Sequence, residues 1–225
     1  MDGKRRRLDL LLSHFHMDHL MGLYGSSFLF DPQMEVHIYG ERPGEKSLKE
    51  CLCQMFGPPY WPLPLDQLLA IIRFHEIQAG DVFLLEDQIQ VQTLSGVHPG
   101  GSILYRLEEA TQGSEPASVV YGLDCELTDA MFQKLKEFAG ACGLLICDAC
   151  YTEAELLLRQ GWGHGSIERC RKLRQASGAQ QALFMHYERS YQDTFLREQE
   201  KISLAQDPAC LFAREGMALK VHGQG

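Results

Sequence analysis

A chain of 225 residues, 45% hydrophobic and 23% charged, is long enough to bury one substantial core, and a single domain over residues 1–225 is expected. It contains no run of about 18 apolar residues, which excludes a membrane-spanning helix. Its formal net charge of −9 opposes non-specific binding to nucleic acid or to anionic membranes, so an anionic substrate must be drawn in by local positive charge.

The chain opens on Lys4-Arg5-Arg6-Arg7 and leucines, like a signal peptide, but Asp9 interrupts the apolar run, His14 ends it and no small-residue cleavage site follows. A cytoplasmic location is expected, and with it eight reduced cysteines. Residues 8–13 read as a strand. They lead into His14-Phe15-His16-Met17-Asp18-His19, three histidines and an aspartate within six positions. A helical stretch follows to about Phe30, then a strand at 35–39, where polar and apolar residues alternate. Residues 45–55 read as a polar helix. Between 57 and 64, four prolines forbid regular structure, and Tyr60 and Trp61 there are equally suited to walling a substrate pocket and to packing on the core.

Residues 71–107 are strand-rich, with breaks at 79–81, 86–87 and 98–101. Further along, 118–123 and 144–147 are apolar runs of buried-strand length, each followed by a helical pattern, at 128–141 and 152–160. A helix at 166–176, a strand at 182–185, a helix at 194–204 and short strands at 210–213 and 217–221 complete the chain. Interleaved strands and helices imply a mixed fold with helices covering sheet faces. His14, His98, Asp124, Asp148 and His186 all fall at strand ends, where sites are usually built.

Isolated histidines are usually surface or satisfied core residues, and His37, His75 and His222 read that way. Cys147-Asp148-Ala149-Cys150 has CxxC spacing but no second pair to complete a zinc knuckle. The two thiols read as ordinary ones flanking a useful aspartate. The 14–19 cluster differs. On an extended segment His14 and His16 aim their rings the same way, while Asp18 and His19 follow as the backbone turns helical and can face a second point nearby. Imidazole with carboxylate suits zinc, manganese or iron, and four ligands cannot fill two coordination spheres, so the strand-end residues must contribute.

The stretch SHFHMDHLMGL resembles the HxHxDH signature of the metallo-β-lactamase superfamily. In the family's order follow GVHPGGSILYRLE with a third metal-site histidine and VVYGLDCE with a bridging aspartate. DACYTEAELLLRQGWGHGS and ALFMHYERSYQD narrow the resemblance to the phosphodiesterase branch that includes ribonuclease Z and cyclic-phosphate phosphodiesterases. The resemblance implies an α+β fold, a four-layer αββα sandwich. It assigns His14, His16 and His98 to one metal and Asp18, His19 and His186 to the other, with Asp124 bridging. His164 falls where ribonuclease Z has a histidine that contacts the scissile phosphate and protonates the leaving group. Asp148 falls where that enzyme has a longer glutamate.

A phosphodiester would then be attacked by a hydroxide held between two divalent ions, with Asp18 at the site and His164 donating a proton to the departing alkoxide. A small cyclic phosphodiester is expected in preference to RNA, because no glycine- and basic-rich arm is present. The alternatives are a thioester or lactam hydrolase of the same superfamily, or a catalytically inactive metal-binding chain acting as an interaction partner. Family members usually carry several strands and a helix before HxHxDH, where this chain has thirteen residues. An incomplete first sheet is therefore expected, its open edge recruiting a second copy or promoting aggregation.

Overall fold

The computed structural model describes residues 5–109 and 116–223, and the chain divides into two compact units, Met1–Ala79 and Gly80–Gly225. In the first, strands β1 (Arg6–Leu11), β2 (Met34–Glu41) and β3 (Ile71–Ile77) form a parallel sheet in the order β1-β2-β3. Alternation decides its faces. Leu8, Leu10, Val36, Ile38, Ile72 and Phe74 belong to one apolar cluster, joined by Leu48 and Leu52 from helix α2 (Leu48–Met55). Each fully buried leucine of this kind contributes roughly 1.5–3 kcal/mol. Helix α2 starts three residues later than its polar pattern suggests, because Ser47 and Glu50 form a reciprocal capping box. The expected helix to Phe30 is one turn, α1 (Met17–Leu20), followed by two 3-10 turns.

The opposite face of this sheet is polar. His37 Nδ1 lies 2.9 Å from His75 Nε2, and the His75 ring stacks on Tyr39 at 4.3 Å. Burial, then the neighbouring His37, holds the His75 pKa below its ordinary value. Both are satisfied histidines, as their isolation in the sequence suggests. Trp61 packs against the core cluster and stacks on Tyr24 at 4.7 Å, whereas Tyr60 is 75% exposed.

The second unit holds a seven-stranded sheet built from β4 (Val82–Leu85), β5 (Ile89–Ser95), β6 (Ile103–Glu109), β7 (Ser118–Gly122), β8 (Leu144–Asp148), β9 (Gln181–Met185) and β10 (Cys210–Phe212), ordered β10-β9-β8-β7-β6-β5-β4. Strands β7 to β10 are mutually parallel and β4 to β7 pair antiparallel. Two antiparallel steps make β5 point the same way as β7. The C-terminal ends of β5, β7, β8 and β9 therefore share one edge, which is where open sheets with parallel strands build sites. Helices α3 (Asp129–Ala139) and α5 (Ile167–Ser177) bury Met131, Leu135, Ile167 and Leu173 against Val120, Leu145 and Phe184 of the sheet. Thr128 and Ser166 cap the two helices through their hydroxyls.

Two expectations fail here. The helix expected at 152–160 is a single turn, α4 (Glu153–Leu156), and residues 217–221 form no strand. In the first case the backbone past Leu156 is needed elsewhere, as the site shows. In the second, Val221 lies against Gly143, whose missing Cβ leaves it room, without joining a ladder. The last helix, α6 (Asp193–Gln206), runs a little longer than expected. No helix among the described residues is long and apolar enough to cross a membrane.

Candidate metal centre

In the first unit, Leu12 N donates to Tyr39 O at 2.8 Å, holding the chain beside β2 for one residue past β1 before it turns. The turn places His14, buried at 7% exposure, between two other imidazoles. Its ring centroid is 4.5 Å from that of His16 and 4.5 Å from that of His19. His16 is the extended residue that opens α1, and His19 N donates to its carbonyl at 3.1 Å. The Asp18 side chain is 68% exposed, with Oδ2 3.5 Å from His19 Nε2.

In the second unit the candidate residues gather at the shared strand edge around Asp124. The Asp124 side chain is 2% exposed, and its Oδ1 lies 3.4 Å from His186 Nε2, 3.9 Å from His98 Nε2 and 3.9 Å from His164 Nδ1. Asp124 and His186 both adopt positive φ, 52° and 62°, a conformation that costs an ordinary residue about 1–2 kcal/mol. Backbone strain of this kind concentrates where side chains must be aimed. Ser102 Oγ holds the Asp124 carbonyl at 2.8 Å.

Asp148, 1% exposed at the end of β8, is saturated with donors. Its Oδ2 accepts from Asp124 N at 3.0 Å and from His164 Nδ1 at 2.9 Å; its Oδ1 accepts from Cys150 N at 3.2 Å and Gly165 N at 3.3 Å. A carboxylate with all four lone-pair directions used is an orienting group. It fixes the His164 proton on Nδ1 and leaves Nε2 for chemistry. His98 is fixed in the same way, its Nδ1–H donating to the Gly163 carbonyl at 2.9 Å. His164 also stacks on His186 at 4.9 Å. The cap on α5 belongs to Ser166, whose hydroxyl receives Arg169 N, and not to His164.

Two participants escaped the sequence reading. Glu126 Oε2 accepts from Gly161 N at 2.7 Å and Gly163 N at 3.2 Å, pinning the GWGHGS loop that carries both His164 and the carbonyl holding His98. That capture is why α4 stops after one turn. Cys150 is the other. Its ligand atom falls with those of Asp148, His164 and His186 within 4.8 Å of one another, although burial, then the Asp148 charge, pushes its thiol up to about 12. Glu126 stands two residues after Asp124, and that proximity was the signal available for it.

The donor chemistry fits a divalent cation: His186 Nε2 and His98 Nε2 lie 3.4 Å and 3.9 Å from Asp124 Oδ1, and nitrogen with carboxylate oxygen is a set that zinc, manganese and iron accept. The sequence profile of a family described as the Beta-lactamase superfamily domain matches residues 3–187. The chain belongs to this superfamily. Among solved structures, the metallo-beta-lactamase fold protein YhfI from Bacillus subtilis superposes with a TM-score of 0.64 at 18% identity, covering 93% of this chain and 76% of its own. A diphosphatase from the PhnP family gives 0.62 at 14%, covering 97% and 74%, and the short form of human tRNase Z gives 0.64 at 14%, covering 95% and 79%. At these identities the likeness establishes the metallo-β-lactamase fold. No curated protein matches this superfamily member by sequence.

Proposed function

We propose that the chain is a binuclear metal-dependent phosphodiesterase acting on a small, cyclic phosphodiester. The observation that carries the proposal is the Asp148–His164 couple, 2.9 Å across, set beside a buried carboxylate that three imidazoles approach. In this reading His14, His16 and His98 would hold one ion and Asp18, His19 and His186 the other, with Asp124 the carboxylate available to both. Zinc and manganese suit these donors best, with iron as an alternative. Such a pair of ions supplies Lewis acidity and a nucleophile near neutral pH, and neutralises the charge of a phosphodiester. That local positive charge offsets the net −9 of the chain.

The protein's own contribution is then proton management. An alkoxide is a poor leaving group, and a positioned acid is typically worth about 10²–10⁴-fold. When protonated on both nitrogens, His164 keeps one proton on Nδ1, donated to Asp148 Oδ2, and offers the other from Nε2. The adjacent carboxylate stabilises that charged ring and fixes its plane. His98 and His186 present Nε2 towards Asp124 from two sides, and the Glu126 carboxylate holds the loop between them. A cytoplasmic setting and a small-molecule substrate complete the reading.

The test is hydrolysis by purified, metal-quantified protein, with manganese and zinc added separately, of bis-p-nitrophenyl phosphate, a thioester and a lactam. Turnover of the phosphodiester alone is the expected result. Turnover confined to the thioester or lactam, or none on any substrate with both metals bound, would refute it.

A further inference from the structure

Behind the rings of His164 and His186 lies a second set of donors. Asp148 Oδ2 is 2.9 Å from His164 Nδ1 and 3.8 Å from His186 Nδ1, and one donor atom from each of Asp148, Cys150, His164 and His186 falls within 4.8 Å of the others. The opposite ring nitrogens serve the front of the centre: His186 Nε2 is 3.4 Å from Asp124 Oδ1, and His164 Nε2 is the nitrogen left for chemistry. All four residues belong to the second unit. A thiol, a carboxylate and two imidazoles are donor types that a tetrahedral zinc ion accepts.

Backbone hydrogen bonds hold Cys150 in this set from both sides. Its N–H donates to Asp148 Oδ1 at 3.2 Å, and Glu188 N donates to its carbonyl at 3.1 Å, which ties it to the segment carrying His186. Tyr151 N donates to Gly165 O at 3.1 Å, which ties the next residue to the loop carrying His164. The thiol, in a residue 5% exposed, is thus placed before any ligand arrives, and preorganised donors lose little freedom on binding.

We propose that Asp148, Cys150, His164 and His186 form a further cation site, selective for zinc over manganese, that switches the centre off when it fills. The cation takes the place of the proton between His164 Nδ1 and Asp148 Oδ2. His164 then carries that proton on Nε2, as the other neutral tautomer, and Cys150 gives its thiol proton to water as the sulfur–metal bond forms. Thiolate and carboxylate together cancel the two positive charges, and the three backbone N–H groups on Asp148 keep their acceptors. Zinc accepts the sulfur, whereas manganese favours oxygen donors. Filling disables the centre in two ways. A neutral imidazole has one lone pair to give, so His186 turned to the rear ion is lost to the front one, and His164 bound through Nδ1 no longer takes the second proton that makes it an acid. Only the switching effect rests on the phosphodiesterase reading; the cation site does not.

Two measurements on zinc-loaded protein need no turnover. Added cobalt should produce a near-ultraviolet sulfur-to-cobalt charge-transfer band and release one proton per ion bound, and Cys150→Ser, close in volume, should show no band. On the unsubstituted chain, with the exposed Cys53 alkylated beforehand, X-ray absorption should show zinc–sulfur scattering at about 2.3 Å only when zinc is in excess. In turnover, excess zinc should suppress hydrolysis of an alkyl phosphodiester about tenfold or more where the same excess of manganese does not, and Cys150→Ser should raise the zinc concentration that halves turnover about tenfold. Zinc–sulfur scattering in a protein that hydrolyses no diester would keep the cation site and defeat the phosphodiesterase reading. The same scattering in fully active protein would make Cys150 a working ligand and overturn the switch, and no sulfur signal at any zinc concentration would overturn the site itself.

Discussion

Replacing Asp148 by asparagine tests the centre most directly. The carboxylate receives four N–H donors, at 2.9, 3.0, 3.2 and 3.3 Å, in a position 1% exposed. An asparagine has one acceptor oxygen, so its amide NH2 must face two of those donors whichever way it is flipped. Facing Cys150 and Gly165, it orphans two buried backbone N–H groups. Facing Asp124 and His164, it orphans only Asp124 N, because His164 can move its proton to Nε2 and accept at Nδ1. The second orientation is cheaper and reverses the His164 tautomer. One orphaned buried N–H costs about 1–3 kcal/mol, and making the remaining bonds neutral loses about another 1 kcal/mol. A loss near 3 kcal/mol lowers the unfolding temperature of a chain this size by roughly 6–12 °C. Turnover of substrates with alkoxide leaving groups should fall about 10²–10⁴-fold, with much less effect on p-nitrophenolate release. Thermal melts, imidazole nitrogen NMR and the two classes of substrate together decide the matter. An asparagine variant that melts within about 2 °C of the parent and keeps the proton on His164 Nδ1 would refute the argument.

Gly163→Ala should lower metal affinity about 10–100-fold, because at φ +85° its Cβ would lie 2.2 Å from His98 Nδ1 and 2.5 Å from Pro99 Cδ. Gly161→Ala, at φ +83° with nothing within 4 Å, should cost about 1–2 kcal/mol in melts and leave zinc titrations unchanged. Glu126→Ala frees two backbone N–H groups and should weaken metal binding along with stability, whereas Glu126→Gln, which keeps one acceptor oxygen, should recover most of both; equal losses would remove Glu126 from any positioning role. Burial pushes the thiols of Cys125, Cys142, Cys150 and Cys210 up to about 12 from 9.0. The unfolded chain therefore ionises first as pH rises past about 9, and melting temperature should fall between pH 8 and pH 10. In the native state at pH 8, alkylation should reach the exposed Cys53 and spare these four.

How far the sequence reached depends on what kind of constraint acted on each residue. Periodicity located nearly every strand, because β2, β7, β8 and β9 bury alternating or continuous apolar residues and nothing competes with that burial. Strand ends were therefore legible, and with them the places of His98, Asp124, Asp148 and His186. Sheet direction was not. That β5 ends on the same edge as β7 follows from the antiparallel placement of β6 between them, a pairing no local pattern reports. The stretch 152–160 misled for a more instructive reason. Its Thr-Glu-Ala-Glu-Leu-Leu-Leu composition favours helix, yet Leu157 and Leu158 end 62% and 84% exposed and the helix stops at Leu156. Local propensity is outweighed there by two captures: Glu126 takes the Gly161 and Gly163 amides, and Asp148 takes the Gly165 amide and the His164 ring. Both captors are carboxylates from neighbouring strand ends, distant in sequence. Where local preference and observed structure disagree, a functional demand is the usual cause, and in this unit the largest disagreement falls on the loop that delivers His164.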